Sequence, residues 1–180
     1  ECFAVFCEGR DVVRRVDKPT IVAKDLGREV ARDGIAALAS RAFLDIPCSS
    51  WGRANRLNGG TRSADAPGGG PGILDREILG NRQAEVVSFL CLELDQHGGV
   101  FMVENPFDSL VFVSEPFMRI KAKCAVHEVV FDQCMYDLRL PGAAKHVFCR
   151  KRSKVISNFD ISSLQRNCVG ISATHQHEFA

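Results

Sequence analysis

No stretch of this chain approaches the roughly 18 consecutive apolar residues of a membrane span, so no membrane-spanning helix is expected. No basic leader precedes the short apolar start Glu1-Cys2-Phe3-Ala4-Val5-Phe6-Cys7, which argues against a secretory signal there. An initiator Met is absent as well, and the chain reads as a fragment or a processed piece. None of the eight cysteines forms a C-x-x-C pair, and no internal repeat is visible. Charge of one sign is missing too. Lys and Arg total 23 against 22 for Asp and Glu, a net charge of +1, so bulk charge names no partner.

What is present is ordinary for one globular domain: 180 residues, 46% hydrophobic and 25% charged, enough to enclose a full core. Several cysteines sit inside apolar runs such as Phe89-Leu90-Cys91-Leu92, where a thiol behaves as a small hydrophobe. That placement favours reduced thiols and an intracellular protein, cytoplasmic or nuclear.

The apolar pattern predicts strands over 2–7, 20–24, 42–46, 99–104, 125–131, 145–149 and 154–159. Helical spacing appears over 9–16, 28–40 and 75–97, the last with Ile78, Leu79, Val86, Val87, Leu90 and Leu94 near one face, and a final turn is expected within 161–167. Residues 107–121 stay open between helix and loop, and the Gly- and Pro-rich stretch 55–73 has no apolar period and reads as a mobile loop. Alternation of strand and helix predicts an α/β fold, a largely parallel sheet with helices on both faces. Residues 1–160 would form that domain and residues 161–180 a C-terminal tail.

Two strand ends carry chemistry. Ala42-Phe43-Leu44-Asp45-Ile46 stops at Pro47-Cys48-Ser49-Ser50-Trp51, and Gly99-Val100-Phe101-Met102-Val103 stops at Glu104-Asn105-Pro106. Ligands of open α/β sheets sit outside the carboxyl ends of the strands. A cysteine opening a helix there gains thiolate character from the exposed N–H groups, as a nucleophile requires, although Cys48 also reads as a core cysteine closing a strand. A partly desolvated Glu104 would exchange protons near neutrality, or else be a solvated residue of an Asn-Pro turn. Asp25, after the 20–24 strand, stands where nucleotide-binding folds place an acid against ribose, or caps a helix.

Pro47-Cys48 after one strand, and Glu104-Asn105 after the next long helix and strand, resemble the catalytic core of C5-cytosine DNA methyltransferases. The resemblance spans roughly residues 3–150. It implies a Rossmann-like methyltransferase fold, S-adenosylmethionine as cofactor and DNA as partner. It also implies that Cys48 attacks C6 of a flipped cytosine while Glu104 meets its N3 edge. Phe6-Cys7-Glu8-Gly9 is similar to the family's first-strand loop, so Phe6, Gly9, Asp25, Pro47 and Asn105 would line the cofactor site. With Gly9 as that loop's only glycine and Glu8 near the methionine carboxylate, weak cofactor affinity is expected. Gln133, Tyr136 and Arg139 lie where the family carries a Gln-x-Arg-x-Arg strand, and Arg139 is carried over as catalytic.

Two further groups belong to a rival reading, a non-catalytic nucleic-acid-binding module, zinc-stabilised and cut from a larger polyprotein. Lys145, Arg150, Lys151 and Arg152 in the 145–154 run, together with Arg53 and Arg56, would neutralise phosphates. Cys168, His175 and His177, joined by Cys134 or Cys149, would make a zinc site, with a frayed terminus as the plain alternative.

Overall fold

The computed structural model describes residues 6–7 and 41–178. The segments 9–16, 20–24 and 28–40, and with them Gly9 and Asp25, lie outside the described residues. Seven strands follow one another among those described: β1 (Phe6–Cys7), β2 (Arg41–Asp45), β3 (Val100–Pro106), β4 (His127–Asp132), β5 (Val147–Cys149), β6 (Arg152–Ser157) and β7 (Gln176–Glu178). The α-helices are α1 (Arg53–Leu57), α2 (Asp75–Gln96) and α3 (Glu115–Lys123).

Five strands form one sheet in the order β1-β2-β3-β6-β4, and β5 and β7 pair in a second, two-stranded sheet. In the larger sheet only β2 and β3 are parallel neighbours. β1 runs antiparallel to β2, and β6 runs antiparallel to both β3 and β4. This corrects the expected Rossmann-like, largely parallel fold. A parallel neighbour needs a crossover of about a dozen residues or more, usually a helix, and α2 supplies one between β2 and β3. The chain between β4 and β6 carries no α-helix, so β6 returns antiparallel and inserts between β3 and β4. An apolar run reports a strand but not its direction.

α2 is a helix because its interior holds no Pro and a single Gly, and because Asp75 and Glu77 place negative charge at its start. It stops at Gly98, whose φ of +72° suits a residue without Cβ; the next amide, Gly99 N–H, donates back to Leu94 O at 2.7 Å. Its buried face is Ala84, Val87, Leu90, Cys91 and Leu94, while Ile78, Leu79 and Val86 are only partly covered. That face meets Ala42, Leu44 and Ile46 of the β2 segment, Phe101 and Val103 of β3, and Phe117 and Ile120 of α3 in one core. Ser88 Oγ donates to Pro116 O at 2.7 Å and stitches α2 to α3. The open segment 107–121 resolves into a 3₁₀ turn over Leu110–Val113 and the start of α3. Phe112 and Phe117 meet edge to face across that junction, 5.8 Å apart. The other sheet face carries a smaller cluster of Val129, Val155 and Ile161.

The Gly-rich stretch is fastened to α2 by two buried side chains. Glu77 accepts from Asn55 Nδ2, Thr61 N and Oγ1, Arg62 N and Leu74 N at 2.7–3.2 Å. Burial by itself would raise its pKa. The hydrogen bonds from Leu74, Asn55 and Thr61 outweigh that and bring it down to about 2. Arg62 in turn donates to Pro67 O, Asn81 Oδ1 and Glu77 O, and its guanidinium lies 3.5 Å from the Trp51 ring centroid. Burial lowers its pKa to about 10, with Glu77 opposing, so Arg62 stays charged at neutral pH.

Candidate functional site

Strand period and register build the site. The parallel pairing sets Asp45, the last residue of β2, beside Glu104, two residues before the end of β3. Alternation then separates neighbours. Leu44 and Ile46 face the core with Asn105, whereas Asp45 and Glu104 face the other side with Met102. Glu104 is mostly buried, with 14% of its side chain exposed. Its Oε1 accepts from Gln133 Nε2 at 3.2 Å and lies 3.6 Å from Lys151 Nζ. Gln133 Nε2 also donates to Ser153 Oγ at 2.7 Å, which aims the amide. Burial, then the negative charge of Glu104, raises the Asp45 carboxyl above its ordinary value, against the pull of Lys151 and the Ile46 N–H.

Cys48 follows three residues after Asp45. It opens a single 3₁₀ turn, Cys48–Ser50, rather than an α-helix, so the macrodipole expected at the thiol is reduced to one turn of amides. Cys48 and Ser49 are exposed, and Ser50 and Trp51 are buried despite the polar character of Ser-Ser. Asn105 Nδ2 donates to Ile46 O at 2.7 Å, and Leu110 N–H donates to Trp51 O at 3.1 Å. These two bonds tie the Cys48 turn to the exit of β3. Asn105 therefore positions the thiol, and its buried Oδ1 has no hydrogen-bond partner among the described residues.

Other sequence candidates scatter. Arg139 pairs with Asp137 at 3.4 Å, and its guanidinium lies 4.5 Å from the Phe148 ring centroid, whereas the partners of Glu104 are Gln133 and Lys151. Phe6 sits in β1 opposite Phe43, and Pro47 precedes the Cys48 turn. The 145–154 run does not act as one patch. Lys145 and Arg150 are exposed, Lys151 turns to Glu104, and Arg152 reaches Asp132 at 3.9 Å. Arg53 and Arg56 are exposed on α1, directly after the Cys48 turn. Asp45 and the pairing of Lys151 with Glu104 were not legible in the chain; each depends on strand register, which pattern alone does not set.

A second cluster lies beyond β4. Cys134 stands in the 3₁₀ turn Gln133–Tyr136, and Cys168, His175 and His177 arrive from the C-terminal segment. Their four ligand atoms lie within 4.8 Å of one another. Cys149, the alternative fourth member, is buried in β5 outside the group. Asp132 Oδ2 accepts from Cys168 N at 2.8 Å, and the His175 ring stacks on Phe148 with centroids 4.5 Å apart. No disulfide joins Cys91, Cys124, Cys134, Cys149 or Cys168, and no helix among the described residues is long and apolar enough to cross a membrane. Comparison with protein-family models, with curated proteins and with solved structures finds no match for this chain.

Proposed function

We propose that the edge where β2 and β3 end takes a cytosine flipped out of DNA and methylates it at C5. The observation that carries this reading is the Asp45–Glu104 register of the parallel β2–β3 pair, which brings the Pro47-Cys48 turn and Glu104 toward the same end of adjacent strands. The Cys48 sulfur bonds to C6, the C5–C6 π pair moves toward C5, and a proton held by Glu104 meets N3. Once C5 carries the methyl group, the C5 proton passes to water, the C5–C6 double bond re-forms with expulsion of the Cys48 thiolate, and N3 returns its proton to Glu104. S-adenosylmethionine would supply the electrophilic methyl when bound. Among the described residues assigned to it, Pro47 shapes the turn, and Asn105, buried on the core side, acts on the site through its bond to Ile46 O. Gln133 and Lys151 orient Glu104. Arg53 and Arg56, exposed just past the thiol, suit the flanking phosphates.

The test is covalent trapping on duplex DNA containing 5-fluorocytosine, whose C5 fluorine blocks the final elimination. The expected result is an adduct that needs both S-adenosylmethionine and Cys48 and disappears in Cys48→Ser. An equal adduct in Cys48→Ser would overturn the assignment of the nucleophile. DNA retention unchanged in Cys48→Ser, with no adduct in either protein, would favour the rival reading, a binding module. Calorimetry is expected to give a cofactor Kd weaker than ~1 μM, about 8 kcal/mol of binding free energy.

A further inference from the structure

We propose that Cys134, Cys168, His175 and His177 bind one zinc ion that clasps the C-terminal segment onto the end of β4. The two histidines are two apart on an extended segment, so their rings lie on one side, and their Nε2 atoms converge to 2.9 Å. Cys168 Sγ lies 3.4 Å from each of them. Cys134 Sγ completes the group, all four atoms falling within 4.8 Å. Ligand atoms on a tetrahedral zinc, at Zn–S of about 2.3 Å and Zn–N of about 2.0–2.1 Å, are roughly 3.3–3.8 Å apart; the Cys168 sulfur meets that spacing to both imidazoles, and small side-chain movements bring the other pairs to it. Nothing in ordinary packing calls for two thiols and two imidazole nitrogens to point at one spot.

Donor chemistry selects the metal. Two thiolates with two imidazoles are soft and borderline ligands in a set of four, which suits zinc over magnesium or calcium. The protein supplies all four positions, leaving no open one for water or substrate, which is the pattern of a structural site. Outer contacts hold the ligands in place: Asp132 accepts from the Cys168 amide, and Phe148 stacks on His175.

The clasp also reaches the strand-end site. Gln133, next to Cys134, is the residue whose amide meets Glu104, and its backbone N–H donates to Lys151 O at 2.8 Å. Arg150 N–H donates to Glu178 O, and Gln176 N–H donates to His146 O, so the tail and the Lys151 segment are held together. Zinc would thereby set the positions of both Gln133 and Lys151.

The experiment uses the untagged chain, purified without added metal, and elemental analysis. The expected content is one zinc per chain. Replacement by cobalt should give the visible spectrum of a tetrahedral site with two sulfur ligands. Cys168→Ser and His175→Ala should weaken zinc binding, in competition with a chromophoric chelator, by well over the roughly 10–100-fold caused by losing an outer-shell partner. Cys149→Ser should bind zinc as the parent does. Because a ligand deletion can unfold the segment, His177→Cys serves as a second variant. It should keep one metal, and its cobalt spectrum should gain sulfur-to-metal intensity. An absence of zinc binding by the parent, zinc retained undiminished in Cys168→Ser, or a Cys134–Cys168 disulfide in the purified parent would each overturn the proposal.

Discussion

The sheet packed on α2 and the segment that follows β4 hold their shape by different means. In the first, Leu44, Ile46, Trp51, Val87, Phe101, Phe117 and Ile120 are wholly or almost wholly buried in one cluster. Burying each such side chain contributes about 1.5–3 kcal/mol, and the cluster spans β2, β3, α2 and α3. In the second, the two-stranded sheet of β5 and β7 buries Phe148 and Cys149, while Val169 and Ile171 stand 98% and 74% exposed. A two-stranded sheet is marginal by itself, and small apolar clusters need staples. The difference teaches where to look for a metal: at the region whose order exceeds what its apolar contacts explain.

Metal removal breaks the comparison most sharply. Structural zinc in small sites is worth roughly 10–16 kcal/mol. Chelation is therefore expected to release the β5 and β7 amides to hydrogen exchange while α2 stays protected. Loss of protection in α2 at the same time would show the two regions to be one unit. Next in size, Phe101→Ala should cost about 3–5 kcal/mol in denaturant unfolding, with zinc content unchanged. Phe101 lies in the core of the first region alone.

Glu77 probes the join between the Gly-rich stretch and α2. Its folded pKa of about 2 lies below the ordinary 4.5, so its contribution is complete above pH 4.5 and is lost as pH falls from there through about 2. Stability measured across that window should decline more steeply in the parent than in Glu77→Gln, which itself should cost about 1–3 kcal/mol at neutral pH. Gly80→Ala should cost about 1–3 kcal/mol, against the usual gain from alanine in a helix. A Cβ at Gly80 would stand 2.3 Å from Ser50 Oγ and 3.1 Å from Trp51 Nε1, with little room for either to retreat. Thermal unfolding that leaves Gly80→Ala as stable as the parent would show that the Ser50–Trp51 turn yields easily.

The smallest effect concerns DNA. Replacing Arg53, Arg56 and Arg150 by Ala should weaken retention on all duplex sequences alike and flatten the salt dependence by roughly 0.9 per lost phosphate contact. An unchanged salt slope would remove these arginines from the interface. Arg152 and Lys151 are poorer choices, because they answer to Asp132 and Glu104.

Local pattern made much of the fold legible. The runs at 42–46, 99–104 and 125–131 became β2, β3 and β4, and the helical period over 75–97 became α2, within a residue or two at each end. The helical face differs slightly from its apolar period, because Glu77 and Ser88 are buried by hydrogen bonding that the period does not register. The stretch 55–73 reads as a mobile loop for the same reason: its anchors are the polar side chains Glu77 and Arg62, which sequence rules place on the surface.

Composition and spacing by themselves located β2 to β6 and the long helix, put Cys48 just after one strand and Glu104 near the end of another, and allowed Cys168, His175 and His177 to converge. These follow from local periods and short separations. Tertiary structure alone decided that β6 runs antiparallel between β3 and β4, that Asp45 and Lys151 flank Glu104, and that Cys134 rather than Cys149 meets the tail thiol and imidazoles. Strand direction, register and the return of a distant segment depend on which surfaces bury each other across the fold, and a linear pattern of side chains carries no record of that choice.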